Sequence, residues 1–223
     1  MQDETKALLR QRIADLDEEG VLKLVRAGRA GGVDPIAAIA VCEEGMRLVG
    51  QRYEQGEYRL SGLIMAGEIF REVLEIARPV METQVAGGTS GKVLLGTVKG
   101  DIHDIGKAIL EMALRAHGFD VLDLGIDVEP QGFVTRAVEW RPDAVGLSCL
   151  LTSSYEPMRE TVRLLRQHPD SAARQIPVII GGGVVNDMVR EFVGADYWCN
   201  DALMGVRLCQ QIVDRSRHPR GEQ

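Results

Sequence analysis

The chain lacks any apolar run of the roughly 18 to 20 residues that a bilayer-spanning helix requires, so no membrane partner is expected. Its opening, MQDETKALLRQR, is charged and has no apolar core of the kind a secretion signal carries. No Cys-x-x-Cys is present. The four cysteines, Cys42, Cys149, Cys199 and Cys209, are scattered, which argues against an iron–sulfur cluster or a structural zinc site. Unpaired thiols without a leader point to a reducing, cytoplasmic setting. No basic cluster is present either. The 26 basic and 33 acidic residues give a net charge of −7, and both halves share it, with 11 and 15 in residues 1–90 and 15 and 18 in residues 91–223. A nucleic-acid partner is therefore not expected. Internal repeats and low-complexity tracts are also missing. What is there is a 223-residue chain, 45% hydrophobic and 26% charged, the balance of a globular protein with one large domain or two small ones.

Two periodicities divide it. Residues 4–80 carry helical spacing: Leu8, Leu9, Ile13 and Leu16; then Val21, Leu22, Leu24 and Val25; then Ile36, Ile39, Ala40 and Leu48 behind an Asp34-Pro35 start; then Leu63, Ile64, Phe70, Val73, Leu74 and Ala77. Ser61 reads as the cap of that last helix and Pro79 as its stop. The expectation is a helical bundle over residues 1–85, a small and polar linker at 86–91, and a different domain over 92–216. In that second part, short apolar runs at 93–98, 121–126, 144–150, 178–180 and 197–200 alternate with helical stretches near 105–117, 131–140, 155–167, 185–193 and 202–215. Strands that are apolar on both faces and separated by helices predict a doubly wound, flavodoxin-like parallel sheet. Such sheets bind ligands beyond the carboxyl ends of their strands, where the strand order reverses.

The loops after strands one, three and four are therefore the places to search. The first is Gly100-Asp101-Ile102-His103-Asp104-Ile105-Gly106-Lys107. It matches no phosphate-binding fingerprint. It offers a histidine, with a carboxylate two residues earlier that can accept one ring N–H and leave the other nitrogen a better electron donor. That device suits a metal ligand or a general base equally, and a surface histidine beside a carboxylate remains open. Asp104 reads first as an N-cap of the next helix and second as a ligand. The second loop, Ser148-Cys149-Leu150-Leu151-Thr152-Ser153-Ser154, is rich in hydroxyls and could equally be a capping turn. The third, Gly181-Gly182-Gly183, allows a ligand or another backbone to come close, or is a flexible turn.

Taken together, these residues resemble the cobalamin-binding domain of corrinoid proteins and B12-dependent methyltransferases. The family pattern is Asp-x-His-x-x-Gly, about forty residues, Ser-x-Leu, and a later Gly-Gly. Asp101, His103 and Gly106 fit its first part, Ser148 and Leu150 its second after 41 intervening residues, and the glycines at 181–183 its third. The stretch from Gly56 to Glu68 resembles the bundle that precedes this domain in small methyl-carrying corrinoid proteins, with Ser61 where proline is frequent.

The resemblance implies cobalamin as cofactor, methylated in its loaded state, with His103 on cobalt in place of the cofactor's own base. It implies Asp101 holding the ring N–H, with Ser154 completing a relay. Ser148, Leu150, Thr152, Asp104, Gly106 and the triple glycine would bind the cofactor, several of them around its displaced tail. The bundle would cover the upper face, with Leu60, Leu63, Ile64 and Met65 as candidates. The function implied is that of a methyl carrier, the non-catalytic corrinoid subunit between two methyltransferases. Its expected partners are TIM-barrel-type methyltransferases and a corrinoid reactivation protein. The alternative is a B12-dependent light sensor or regulator. That reading expects a basic DNA-binding module and a tryptophan in the bundle, whereas Trp140 and Trp198 both fall in the second half.

Overall fold

A computed structural model describes residues 1–82 and 90–217. Two compact units divide near residue 83. In the first, α1 (Asp3–Ala14), α2 (Glu18–Ala30), α3 (Pro35–Glu54) and α4 (Leu60–Glu82) pack around Leu9, Ile13, Val21, Val25, Ile39, Phe70 and Val73. Local chemistry sets the helix starts. The Asp17 carboxylate accepts the Gly20 N–H at 3.0 Å to cap α2, and Pro35 opens α3 with its fixed φ. The C-terminal carbonyl of Ala14 accepts from Arg52 Nη1 at 2.5 Å and from the Tyr58 hydroxyl at 2.8 Å. Those two bonds tie the end of α1 to the last turn of α3 and to the turn that follows it.

Several expectations for this unit need correction. The buried side of α3 is Ala38, Ile39, Val41, Cys42 and Val49; Ala40 is exposed and Leu48 is only half-buried. Ser61 lies inside α4, which begins at Leu60, so it is not the cap. Pro79 lies inside α4 as well and does not stop it. Its missing N–H and its ring act on the Glu75 carbonyl one turn earlier, near the end of a helix whose packing is set by Phe70, Val73 and Ala77. Ile64 is exposed rather than core.

The second unit holds β1 (Gly91–Thr97), α5 (Ile105–Ala116), β2 (Phe119–Asp123), α6 (Pro130–Trp140), β3 (Ala144–Ser148), α7 (Tyr155–Arg166), α8 (Ser171–Gln175), β4 (Val178–Gly181), α9 (Asp187–Val193), β5 (Tyr197–Cys199) and α10 (Ala202–Arg217). All strand pairs are parallel, in the order β2-β1-β3-β4-β5. This is the doubly wound flavodoxin-like order. Alternation along β1 sends Leu94 to one core with Phe133, Val145, Leu147, Met158, Leu165 and Ile180. It sends Val93 and Leu95 to the other, with Leu114, Phe119, Val121, Ile179, Cys209 and Val213. All four cysteines are buried and free.

Two differences concern extent. The second strand runs 119–123 rather than 121–126, because Phe119 and Asp120 pair with Gly91 and Lys92 while Ile126 leaves the sheet. The short α8 was not expected; Asp170 starts it by accepting the Ala172 N–H at 2.9 Å. Residues 86–89 of the expected linker lie outside the described residues. No helix among those described is long and apolar enough to cross a membrane.

Candidate functional site

Strand order reverses between β1 and β3, and the loops leaving their carboxyl ends meet there. The first contact between them is backbone: Val98 N–H donates to Ser148 C=O at 3.1 Å, and Cys149 N–H to Gly181 C=O at 2.9 Å. On this frame Asp101 is the junction. It is 1% exposed. Its Oδ1 accepts the His103 backbone N–H at 3.0 Å and contacts His103 Nδ1 at 2.6 Å. Its Oδ2 accepts the N–H groups of Leu150 at 2.6 Å and Leu151 at 3.0 Å.

Burial alone would push the Asp101 carboxyl up. The N–H groups of Leu150, His103 and Leu151, with the His103 ring, outweigh it and hold the carboxyl down at about 2. Asp101 is therefore a carboxylate with no proton to give, so Nδ1 must carry the proton in a bond this short. In the neutral imidazole the other ring nitrogen, Nε2, then holds the lone pair. The His103 side chain is 47% exposed, so that nitrogen stands at the surface of the sheet edge. Thr97 Oγ1 donates to the His103 carbonyl at 3.2 Å and holds the loop from beneath.

The other sequence-predicted residues fall as follows. Ser154 is brought to the site but does not join Asp101. Its Oγ is buried with no hydrogen-bond partner among the described residues. The Asp101 oxygens are bonded instead to Leu150, Leu151 and His103. The expected relay is thus absent in this state. Asp104 sits at the N-cap position of α5, but its side chain makes no capping bond to the helix. Its φ of −112° and ψ of −15° are helical, whereas a capping side chain reaches back from extended backbone. Ser148 ends β3, in register with Thr97 and Gly181. Leu150 and Thr152 are exposed at the same edge.

The glycines separate into two kinds. At Gly182, φ is +133° and a Cβ would lie 1.9 Å from the Cys149 carbonyl oxygen, so the protein's own backbone demands glycine there. A Cβ on Gly106 would meet no protein atom within 4 Å, and one on Gly181 or Gly183 only ordinary or slightly tight neighbours. Cys149 is tied down: its Sγ donates to Leu151 C=O at 3.0 Å, and burial pushes its thiol up to about 11.

Sequence reasoning missed three features. The Leu151 amide leaves no side-chain signal at all. Ile102 and Ile126, 66% and 45% exposed, flank the site with apolar surface; isolated isoleucines in polar strand-end loops were the available sign. Lys107, in the first turn of α5, is buried and paired with Asp123 at the end of β2.

Among the described residues no group of three or more His, Cys, Asp or Glu could hold a metal ion. A single oriented imidazole beside exposed apolar side chains fits a metal that brings its other ligands in a flat macrocycle. The unpartnered Ser154 hydroxyl, and the room for a Cβ at Gly106, fit a large group resting on this edge.

Comparison with known proteins gives the same direction. A family model described as a B12 binding domain matches residues 91–206, and a second model of that description matches residues 6–78. A corrinoid protein of Desulfitobacterium hafniense strain Y51 is 32% identical over 210 residues, covering 93% of this chain and 96% of that protein. Trimethylamine corrinoid protein 2 of Methanosarcina acetivorans is 34% identical over 214 residues, covering 95% and 97%. Among solved structures, the monomethylamine corrinoid protein of Methanosarcina barkeri superposes with a TM-score of 0.82 at 27% identity, covering 92% of this chain and 96% of that one. The methanol:cobalamin methyltransferase complex of the same organism gives a TM-score of 0.53 at 26% identity, covering 96% and 81%.

Proposed function

The chain belongs to the family of B12-binding corrinoid proteins, with cobalamin as cofactor, and from that premise we propose that it is a methyl carrier that takes a methyl group from one methyltransferase and delivers it to a second. The observation that carries the reading is the Asp101–His103 pair. In this proposal His103 Nε2 is the cobalt ligand. Cobalamin, when bound, supplies a cobalt centre able to take up and release a methyl group.

The chain's own residues do the rest. Asp101 fixes the imidazole tautomer and its orientation, and its bonds to Leu150 and Leu151 lock the two loops together. Because the carboxylate stays ionised, it favours the proton on Nδ1 and so the lone pair on Nε2. Ser154 is the nearby hydroxyl left without a partner, and in this reading it joins Asp101 only when a proton has to be delivered. Ser148, Leu150, Thr152, Gly106 and the glycines at 181–183 would help to hold the cofactor at this edge. In this proposal residues 1–85 would serve as the cap. Leu60, Ile64 and Met65 are 61%, 59% and 48% exposed, an apolar row on α4 that the bundle's own core does not use. Residues 92–216 form the cobalamin-binding domain.

A methylamine or methanol donor suits a chain similar to a trimethylamine corrinoid protein and to part of a methanol:cobalamin methyltransferase complex, and a TIM-barrel methyltransferase and a reactivation protein are the proposed partners. The test is reconstitution with methylcobalamin. The wild type should bind one corrinoid per chain with a protein nitrogen on cobalt, and His103→Gln should remove that nitrogen signature. Isotope-labelled methyl should then pass from the protein to a thiol only when a methyltransferase is added. Bound cobalamin that keeps its own base, or transfer that proceeds equally without the second enzyme, would overturn the proposal.

A further inference from the structure

Among the described residues three non-glycine positions have positive φ: Leu16, Asp127 and Arg141. Arg141 closes the C-terminus of α6, and Leu16 follows α1 by two residues, both places where a left-handed residue is ordinary. Asp127, with φ of 52°, ends no helix. It lies four residues beyond β2 and three before α6, in the loop beside the His103 loop. A strained residue that terminates nothing calls for another account.

The hydrogen bonds supply it. Pairing between the first two strands does not stop where β2 ends. Leu124 N–H reaches Leu95 C=O at 2.8 Å, Thr97 N–H reaches Gly125 C=O at 2.9 Å, and Val128 N–H reaches Thr97 C=O at 3.0 Å. Val98 and Val128 form a further parallel bridge. This ladder carries Asp127 to the base of the His103 loop. There its Oδ1 accepts the Gly100 N–H at 2.7 Å, and its own N–H donates to the Asp101 carbonyl at 3.0 Å. One residue thus grips the peptide between Lys99 and Gly100 and the peptide just after Asp101. Gly100 is itself at a φ of +81°, so this grip sets the direction in which the loop leaves β1.

We infer that Asp127 is a positioning residue for the cobalt ligand: it holds Gly100 and Asp101 so that Asp101 can present His103. The inference rests on the reading of His103 given above. Asp127 touches neither ring nor metal and acts through Asp101. Its left-handed backbone is a standing strain, kept because the paired loops on both sides over-determine it. Aspartate is among the residues that bear this conformation best, and it adds the acceptor that glycine lacks.

Three proteins test it: wild type, Asp127→Gly, which relieves the strain and removes the acceptor, and Asp127→Asn, which keeps an acceptor oxygen. Each is reconstituted with hydroxocobalamin and reduced to the Co(II) form. Nitrogen splitting in the electron paramagnetic resonance spectrum then gives the ratio of histidine-ligated to unligated cobalt. Amide hydrogen exchange at Gly100 in the cofactor-free protein reports the hydrogen bond itself. Asp127→Gly should take up cobalamin but show a ratio lowered by about 10-fold, with faster exchange at Gly100. Asp127→Asn should stay near wild type in both. Faster exchange at Gly100 with an unchanged ligation ratio in Asp127→Gly would overturn the inference. So would Asp127→Asn falling as far as Asp127→Gly, since the acceptor oxygen would then not matter. A wild type with no protein nitrogen on cobalt is a different failure: it removes the His103 reading itself, and the positioning role with it.

Discussion

Replacing Asp101 by asparagine is expected to weaken the α/β unit by about 2–4 kcal/mol at neutral pH, although the two side chains have nearly the same shape. The carboxylate accepts from Leu150 and Leu151 on one oxygen and from the His103 amide and ring on the other. An asparagine has one acceptor oxygen, and its amino group can only donate. Whichever way it turns, one pair of N–H groups faces an N–H group, and each buried donor left unpaired costs about 1–3 kcal/mol. Proton linkage expresses the same four bonds as a pH dependence. The fall of the carboxyl from its ordinary 3.8 to about 2 corresponds to about 2–3 kcal/mol in favour of the ionised, folded form. The sign follows from the depressed value: this stabilisation is complete above 3.8 and is lost as pH falls through about 2. The difference between wild type and Asp101→Asn should therefore shrink across that window. Urea unfolding followed by tryptophan fluorescence measures it, since Trp140 and Trp198 both lie in the α/β unit. A difference under about 0.5 kcal/mol at neutral pH, or one that grows as pH falls, would refute the four-donor account of Asp101.

Gly106→Ala should raise the stability of the cofactor-free protein by up to about 1 kcal/mol, because it adds a helix-favouring residue to α5 where a Cβ meets no protein atom. It should lower cobalamin uptake by about 10-fold in equilibrium dialysis, and undiminished uptake would remove Gly106 from the binding surface. Gly182→Ala should cost about 3 kcal/mol or more, read as loss of the soluble folded fraction, since its Cβ would overlap the Cys149 carbonyl. Lys107→Met should destabilise by about 3 kcal/mol in thermal unfolding by leaving Asp123 without its buried partner. Adding Asp123→Asn to that variant should recover most of the loss, and a double variant no better than the single one would show that the pair is not what Lys107 contributes.

The sheet was legible because its strands are short apolar runs between helices, and the parallel order followed from that alternation. The site's side chains were legible because Asp101, His103, Ser148 and the glycines are chemically unusual at strand ends. What could not be read were the partners supplied by backbone. Nothing in the letters Leu150-Leu151 says that their amides bind a carboxylate, and with those bonds unseen Ser154 was given a partner already taken. The edge of β2 was misplaced because Leu124 and Ile126 continue the apolar run past the regular strand, where only scattered bonds to Leu95 and Thr97 carry the pairing on. In the helical unit the inward side of α3 was misread because alanines at 38 and 40 do not declare which of them is buried. The triple glycine was rightly seen to permit close approach, but only coordinates separate Gly182, which a neighbouring carbonyl requires, from its two neighbours.

The burial of all four cysteines has a consequence for a chain whose proposed cargo is an electrophilic one-carbon group. Sulfur is attacked by such groups as the thiolate, and burial holds these thiols at about 12 for Cys42, 11 for Cys149, 11 for Cys199 and 12 for Cys209. At neutral pH about one in ten thousand or fewer is ionised, and none is open to collision. Cys149, the one at the sheet edge, is tied to the Leu151 carbonyl at 3.0 Å. The fold thus keeps the chain from alkylating itself. Opening of the fold, rather than methyl transfer, is the event that exposes these sulfurs. S-methylcysteine found in a preparation would therefore count the molecules that had unfolded, not the ones that had turned over.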